Sequence, residues 1–194
     1  MEPLELSANS GYAPAQFTLG FLLYHGATAG DDLLPSDHAR AMPWLLKSAE
    51  RGSPAANDLV GRAYLEGHVL PHDVERAKRL LTVAANARIG SAQVGLAAIL
   101  DTEPRLAQAL EAYKWLWLAA GADYPGAAEN LAITATRLNQ TESEQARVLA
   151  ANIGLARPVP NSGPTCQGGP LLRKVQAGPL RATLVHRFLR TNQL

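Results

Sequence analysis

The 194-residue chain is poor in cysteine and in aromatic residues: Cys166 is its single cysteine, and aromatics make up 6% of it. One cysteine excludes an intramolecular disulfide framework. The surrounding sequence GPTCQGGP offers no ordered base, so we do not predict a nucleophile there. Phosphate-binding glycine loops, nucleophile elbows and HExxH motifs are also missing from the sequence. These absences argue against the common hydrolase and nucleotide-binding classes.

Long apolar runs are missing as well, since none reaches the roughly 18 residues of a membrane-spanning helix. The first residues, MEPLELSANSGYAP, lack the basic region and apolar stretch of a secretory signal. We therefore expect a cytoplasmic protein from the sequence as written. A periplasmic or secreted protein is the alternative if the true N-terminus lies further upstream.

Acidic residues are missing from the C-terminal part of the chain. Residues 155–194 contain six Arg or Lys and no Asp or Glu. Residues 1–154 contain the other twelve basic residues and all seventeen acidic ones, a net charge of −5. The whole chain has a net charge of +1, which favours neither nucleic acid nor an anionic membrane as the main partner. We divide the chain into residues 1–154 and a Pro/Gly-rich basic tail, 155–194.

Four segments of residues 1–154 share one pattern. They begin at Ala15, Ala56, Ala92 and Ala127, at intervals of 41, 36 and 35 residues. In each, Leu or Val follows the alanine after four residues, and Gly or Ala comes next. The recurring pattern predicts a helix in each segment, which we name helix A.

A second alanine pattern lies between these segments and predicts a helix B. Its alanines are Ala41, Ala77, Ala112 and Ala146. Three residues after each comes a large apolar residue, which we assign to the buried face: Trp44, Leu80, Trp115 and Leu149. Each A–B pair can bury its apolar faces only against its neighbours. The prediction is an all-α superhelix, or solenoid, with a loop at the five-residue insertion in ATAGDDLLPSD.

The repeats resemble those of the Sel1-like repeat family, which is related to tetratricopeptide repeats. The family's linker and second helix are matched in the second repeat by Gly67, Val69, Asp73, Arg76 and Ala77. The resemblance covers about residues 4–154 and is most specific in the first two repeats. It implies a non-catalytic scaffold, without cofactor or metal, that binds partner proteins on its concave surface.

Several residues are predicted to set helix ends. Asp73 is the expected N-cap of a B helix, and Thr141 with Glu144 is the expected capping box of the last one. Pro43 is expected to kink its helix or to delay its start. LELSANSG, Leu4 to Gly11, resembles the end of a B helix. The sequence therefore either begins inside a repeat or has a short N-terminal capping helix.

Candidate partner-binding residues follow from the repeat pattern. Gln16, Asn57 and Gln93 each lie one residue after a repeat alanine, and the fourth repeat has alanine there instead. On A helices that line a concave face, these amides would bond the backbone of a partner. The alternative is that they bond neighbouring repeats. Trp117 lies two residues after the buried Trp115, on another face, and is predicted to be a surface contact.

His68, His72 and Asp73 could instead suggest a metal site, because they lie within six residues of each other. Pro71 breaks helical geometry between the two histidines, and the first repeat does not reproduce their positions. We therefore interpret the segment as a loop between two helices.

Two other functions stay open at this point. One is a hydrolase of the β-lactamase-like branch of the same family, although the paired cysteines of that branch are missing. The other is contact with nucleic acid or a membrane surface through the tail, where Leu180, Leu184 and Phe188 recur every four residues among arginines. Docking of this segment on the last repeat, disorder, or a non-native reading of the coding sequence are the alternatives for the tail.

Overall fold

The computed structural model describes residues 2–29, 32–102 and 105–151. The predicted tail, with Cys166 and the Leu180–Phe188 pattern, lies outside these ranges. The described ranges form α1 (Glu2–Asn9), α2 (Ala13–His25), β1 (Ala27–Ala29), β2 (Asp32–Leu34), α3 (His38–Glu50), α4 (Pro54–Glu66), α5 (Val74–Asn86), α6 (Gly90–Asp101), α7 (Leu106–Gly121), α8 (Ala127–Ala135) and α9 (Gln140–Ala151). The all-α prediction is confirmed. Within the same ranges, no helix is both long and apolar enough to cross a membrane.

The chain divides into two compact units, residues 1–92 and 93–194. In the first unit, α2 packs against α3 and α4 packs against α5, as the A–B pairs predict. A small residue is needed where the helices of a pair meet. A Cβ added at Gly20 would lie 2.8 Å from Leu45 Cγ, and one added at Gly61 would lie 2.9 Å from Leu81 Cγ.

The buried face of the B helices is centred on the fourth residue after each repeat alanine, not on the third as predicted. The residues four after each repeat alanine are fully buried: Leu45, Leu81, Leu116 and Ala150. Of the residues three after it, Trp115 is buried, Trp44 and Leu80 are half-buried, and Leu149 is 40% exposed. At 3.6 residues per turn, the fourth residue lies about 40° from the alanine and the third about 60° away. The prediction of a buried stripe at the third position is therefore wrong for Leu149.

Two aspartates begin the B helices of the first unit. The carboxylates of Asp37 and Asp73 accept hydrogen bonds from the backbone amides of Arg40 and Arg76, at 3.0 and 2.9 Å. The prediction for Asp73 is thus confirmed. Pro43 lies inside α3, which still begins at its normal position after Asp37, so the predicted delay is wrong. The Asp37 cap satisfies the first turn before the proline is reached.

The insertion in the first repeat forms a small antiparallel hairpin rather than a loop. Strand β1 pairs with β2 in the register Ala27 with Leu34 and Ala29 with Asp32. Gly26 precedes the hairpin with φ of +75°, and an added Cβ would lie 2.8 Å from the Leu34 carbonyl oxygen. Only glycine fits that conformation and that close approach.

The end of α1 has the same geometry as the end of α3. Gly11 and Gly52 have φ values of +91° and +84°. The following amides, of Tyr12 and Ser53, donate to the carbonyls of Ser7 and Ser48. The predicted likeness between Leu4–Gly11 and the end of a B helix is confirmed, and α1 packs against α2 as a preceding B helix would.

In the second unit, α7 packs against α8 and α9. The helix α9 begins two residues earlier than predicted. Asn139 Oδ1 accepts from the Glu142 amide at 2.9 Å, and Glu142 Oε2 accepts from the Asn139 amide at 2.8 Å. This reciprocal pair is the capping box, so the predicted box of Thr141 and Glu144 is wrong. Asparagine caps at least as well as threonine, and the earlier cap adds helical residues.

Candidate partner-binding surface

Helix α2 is unusual because it carries no charged residue on its outer face, where Pro14, Thr18, Phe21 and His25 are exposed. Its sequence, APAQFTLGFLLYH, contains no Asp, Glu, Lys or Arg. Leu19 and Leu23 point into the core of the first unit, yet Phe21 is 42% exposed. A surface helix normally carries charged residues on its outer face, and a helix apolar all round is normally covered. The outer face of α2 is therefore the leading candidate for a contact surface.

Five aromatic side chains form a continuous series on this face, which we name the ring stripe: Phe17, Phe21, Tyr24, His25 and His38. Ring centroids are 5.7 Å apart for Phe17 and Phe21, and 4.5 Å apart for Phe21 and His25. Tyr24 contacts His25 at 5.1 Å and stacks on His38 at 4.3 Å with an interplanar angle of 14°. The stacked pair joins the end of α2 to the first residue of α3, so the stripe is held by two helices.

The next A helix carries charges where α2 carries rings. Asp58, Arg62 and Glu66 lie 41 residues after Phe17, Phe21 and His25, at the same repeat positions. Arg62 Nε lies 3.4 Å from Asp58 Oδ2, and Ser91 Oγ donates to the same oxygen at 2.8 Å. We name Asp58, Arg62 and Ser91 the polar cluster.

Asp58 is the buried member of the polar cluster, whereas Arg62 and Ser91 are half-buried. Burial raises the pKa of the Asp58 carboxyl, while the Arg62 charge and the hydrogen bonds from Ser91 and Arg62 act in the opposite direction. The carboxylate and the guanidinium form an ion pair inside the first unit, although Asp58 Oδ1 and Arg62 Nε are buried without a hydrogen-bond partner. They offer little unpaired charge to a partner molecule.

Charged residues of α4 affect the pKa values of two ring-stripe residues, Tyr24 and His25. Burial raises the pKa of the Tyr24 hydroxyl, and the Glu66 carboxylate adds to this effect. Burial lowers the pKa of His25 below its ordinary value of 6.5, and the positive charges of Arg62 and His38 lower it further. Tyr24 and His25 are consequently both uncharged near neutral pH. The helix α2 then presents an uncharged surface.

The three predicted amide residues lie in the interior. Gln16, Asn57 and Gln93 are each 3% exposed. Gln16 Nε2 donates to the Ala8 carbonyl of α1 at 3.1 Å, and Asn57 Nδ2 donates to the Ser53 carbonyl at 2.9 Å. The Gln16 bond reaches the preceding helix, as the alternative of bonds to neighbouring repeats expects, whereas the Asn57 bond stays at the start of its own helix. Contact of the three amides with a partner stays a prediction, and their burial leaves little side-chain surface for it.

Trp117 lies in the second unit and is half-buried. Its ring stacks near Tyr113, with centroids 6.4 Å apart, and Arg147 Cζ lies 4.8 Å from its centre. The indole also packs against a core cluster that includes Ala109 and Ala146. Much of its surface is thus engaged within its own unit, and its role as a partner contact stays a prediction.

The segment with two histidines is held as a connection between α4 and α5. Gly67 ends α4 in the left-handed conformation, and His72 Nδ1 lies 2.8 Å from the Leu65 carbonyl oxygen. Asp73 is occupied as an N-cap, and His68 is exposed. Across the part of the chain that the structure describes, no group of three or more His, Cys, Asp or Glu residues is arranged to hold a metal ion.

Sequence reasoning missed the ring stripe, although the repeat alignment contained the signal. Phe17, Phe21 and His25 stand where the next repeat has an acidic, a basic and an acidic residue. An apolar residue at a position that is charged in the neighbouring repeat indicates a surface that is not meant for water. The search for polar contact residues passed over this difference.

Solved structures identify the type of repeat. The chain is similar to a protective antigen of uropathogenic Escherichia coli that displays an SLR fold, with a TM-score of 0.64 and 27% identity. It is also similar to a Sel1 repeat protein from Oxalobacter formigenes, with a TM-score of 0.53 and 27% identity over 67% of this chain and 95% of that one. The chain thus shares the fold of Sel1-like repeat proteins. The predicted fold class, an all-α solenoid of Sel1-like repeats, is confirmed.

The chain covers only small parts of two longer proteins to which it is similar. The similarity to the E. coli antigen spans 77% of this chain and 31% of the antigen. A curated relative is the ERAD-associated E3 ubiquitin-protein ligase component HRD3A of Arabidopsis thaliana, 34% identical over 64 residues, which are 33% of this chain and 9% of the plant protein. No protein-family model matches the chain.

Proposed function

We propose that this chain is a non-catalytic scaffold that binds a partner protein at the ring stripe of α2. The observation that carries the proposal is the exposure of Phe21 on a helix without charged residues. The repeat type supports the scaffold part, since its relatives include a component of a larger ligase. Helical repeat arrays as a class bind partners through extended concave surfaces.

The ring stripe is suited to binding because it is already ordered. Leu19 and Leu23 anchor α2 from inside, and the close contact of Gly20 with Leu45 fixes α2 against α3. Stacking of Tyr24 on His38 fixes the end of the stripe. A rigid surface loses little conformational entropy on binding, so even a modest apolar contact area can give useful affinity.

The test is quantitative affinity enrichment from the source cell with the full chain as bait. Phe21→Glu is compared with Val83→Glu, because Val83 is 47% exposed on the B helix α5 and serves as a matched control. We expect Phe21→Glu to lose a partner that the wild type and Val83→Glu retain. Equal retention by both variants, with unchanged circular dichroism, would place the partner elsewhere on the protein.

A further inference from the structure

The surroundings of the ring stripe restrict the chemistry of what can cover it. The only titratable side chains of α2 are Tyr24 and His25, and both are uncharged near neutral pH. The nearby charges of Asp58 and Arg62 are paired with each other. A charged side chain placed over the ring of Phe21 would lose part of its hydration there.

The size of the stripe restricts the occupant further. The eight residues from Phe17 to His25 span about 12 Å of helix, a length that about four extended residues cover. Phe21 is 42% exposed, so a ring of its size offers roughly 60–100 Å² of surface. A stable dimer interface needs about 800 Å² from each partner. The stripe alone therefore fits a short peptide segment better than a second copy of the chain.

This inference rests on the function proposed above and specifies its ligand. We propose that the ring stripe binds a short peptide segment with uncharged, apolar side chains, and that protonation of His25 releases this segment. His25 is the sensing residue because its ring contacts Phe21 at the centre of the stripe.

The charged groups that shift the pKa of His25 act in the same direction as its burial. On its own helix it contacts Phe21 and Tyr24, whose rings carry no charge. His38 of α3 and Arg62 of α4 both disfavour a second positive charge there. The carboxylates of Asp58 and Glu66, also on α4, act on the adjacent Tyr24 hydroxyl.

An apolar segment over the stripe removes more water from His25 and makes its charged form still less favourable. Binding and protonation must then weaken each other to the same extent, because the two equilibria are linked. A segment with a carboxylate over His25 would show the opposite behaviour, since it would bind more tightly as His25 becomes charged. The direction of the pH dependence thus reports the charge of the ligand.

The experiment selects ligands from a random 12-residue phage-displayed peptide library on the full chain at about pH 7.5, with counter-selection on Phe21→Glu. We expect binders that share Leu, Ile, Phe or Pro without a charged residue in the common motif. One synthetic binder is then titrated at about pH 7.5 and about pH 5. We expect the wild-type affinity to fall by about threefold or more, as linkage to one proton allows.

Two histidine variants control the titration. His25→Gln should bind at both pH values with nearly equal affinity, whereas His68→Gln, at an exposed histidine outside the ring stripe, should keep the loss at low pH. Melting curves at both pH values show that each variant is folded.

The outcomes separate the two proposals. Absence of any peptide binder that depends on Phe21 would overturn this inference, whereas the proposed function is overturned only if Phe21→Glu also keeps every partner protein in the affinity enrichment. Phe21-dependent binders with an acidic or basic motif would leave the proposed function standing and overturn the ligand chemistry. A pH effect that is equal in the wild type and in His25→Gln would overturn the role of His25.

Discussion

Replacing Leu81 by alanine is expected to destabilise the protein far more than the same change at the adjacent Leu80. Leu81 is fully buried, and its Cγ lies 2.9 Å from the position of a Cβ on Gly61. Leu80 is half-buried at the neighbouring position of the same helix. Truncation of a fully buried leucine leaves a cavity and costs about 3–5 kcal/mol, whereas truncation at a half-buried position costs about 1 kcal/mol.

The assay is urea denaturation of the full chain followed by circular dichroism. The free energy of unfolding of a typical domain is about 5–15 kcal/mol, so both variants should remain folded without urea. An unchanged dependence on urea concentration shows that the difference lies in stability. A loss for Leu80→Ala equal to or larger than that for Leu81→Ala would refute the assignment of the buried face.

A second substitution tests the contact itself. Gly61→Ala alone should destabilise, because its methyl group would meet Leu81 well inside the 3.5–4.0 Å of an optimal carbon contact. In the Leu81→Ala background the same methyl group enters the vacated space. We expect a favourable coupling of about 1–2 kcal/mol between the two changes, and purely additive losses would show that the two residues do not touch.

Four further predictions follow from the same structure. Burial raises the pKa of Asp58 in the folded protein above the value of 3.8 that it has in the unfolded chain. The wild type should therefore lose stability as the pH rises from 3.8 through the higher pKa of the folded state. Asp58→Asn should remove this part of the pH dependence, as measured by urea midpoints at about pH 4 and 7. Asn139→Ala should lower the unfolding free energy by about 1 kcal/mol and Thr141→Ala by less than about 0.5 kcal/mol, as measured by urea denaturation. Repurified protein should not hydrolyse nitrocefin, and sustained hydrolysis would contradict the non-catalytic assignment. A chain ending at residue 154 should keep the Phe21-dependent partner in affinity enrichment, whereas loss of salt-sensitive binding would assign that binding to the tail.

The spacing of small residues was enough to predict the A–B helix pairs. The repeat alanines define one face of each helix, and the Gly20–Leu45 and Gly61–Leu81 contacts explain why a small residue must follow the aliphatic one. Asp73 was also predictable, since an aspartate before an apolar periodic stretch is a strong helix start.

The buried face of the B helices, the cap of the last helix and the hairpin depend on small energy differences that the sequence pattern does not resolve. Around the helix, the third residue after a repeat alanine lies about 60° from that alanine and the fourth about 40° from it. This difference of about 20° is too small for the sequence pattern to distinguish the burial of Leu80 from that of Leu81. Asn139 and Thr141 are both good caps, and the competition between them is decided by which helix length packs better. The hairpin at Ala27–Leu34 has strands of three residues each, too short for a clear alternation.

The ring stripe was not predicted because polar residues were expected to make the partner contacts. The amides of Gln16 and Asn57 are conspicuous in the repeat alignment, yet both are buried and hydrogen bonded within the chain. The exposed feature of α2 is the aromatic Phe21. Periodicity identifies residues that recur, whereas a binding surface is formed by residues that differ between repeats.

The most direct test of the account is photo-crosslinking in the source cell. A benzoylphenylalanine is placed at Phe21 in one full-length chain and at Val83 in another, because both positions are exposed on helices of the first unit. The account predicts that irradiation joins a discrete partner protein to the chain labelled at position 21 and not to the chain labelled at position 83. Crosslinks of equal yield at the two positions, or a discrete partner at position 83 alone, would contradict it.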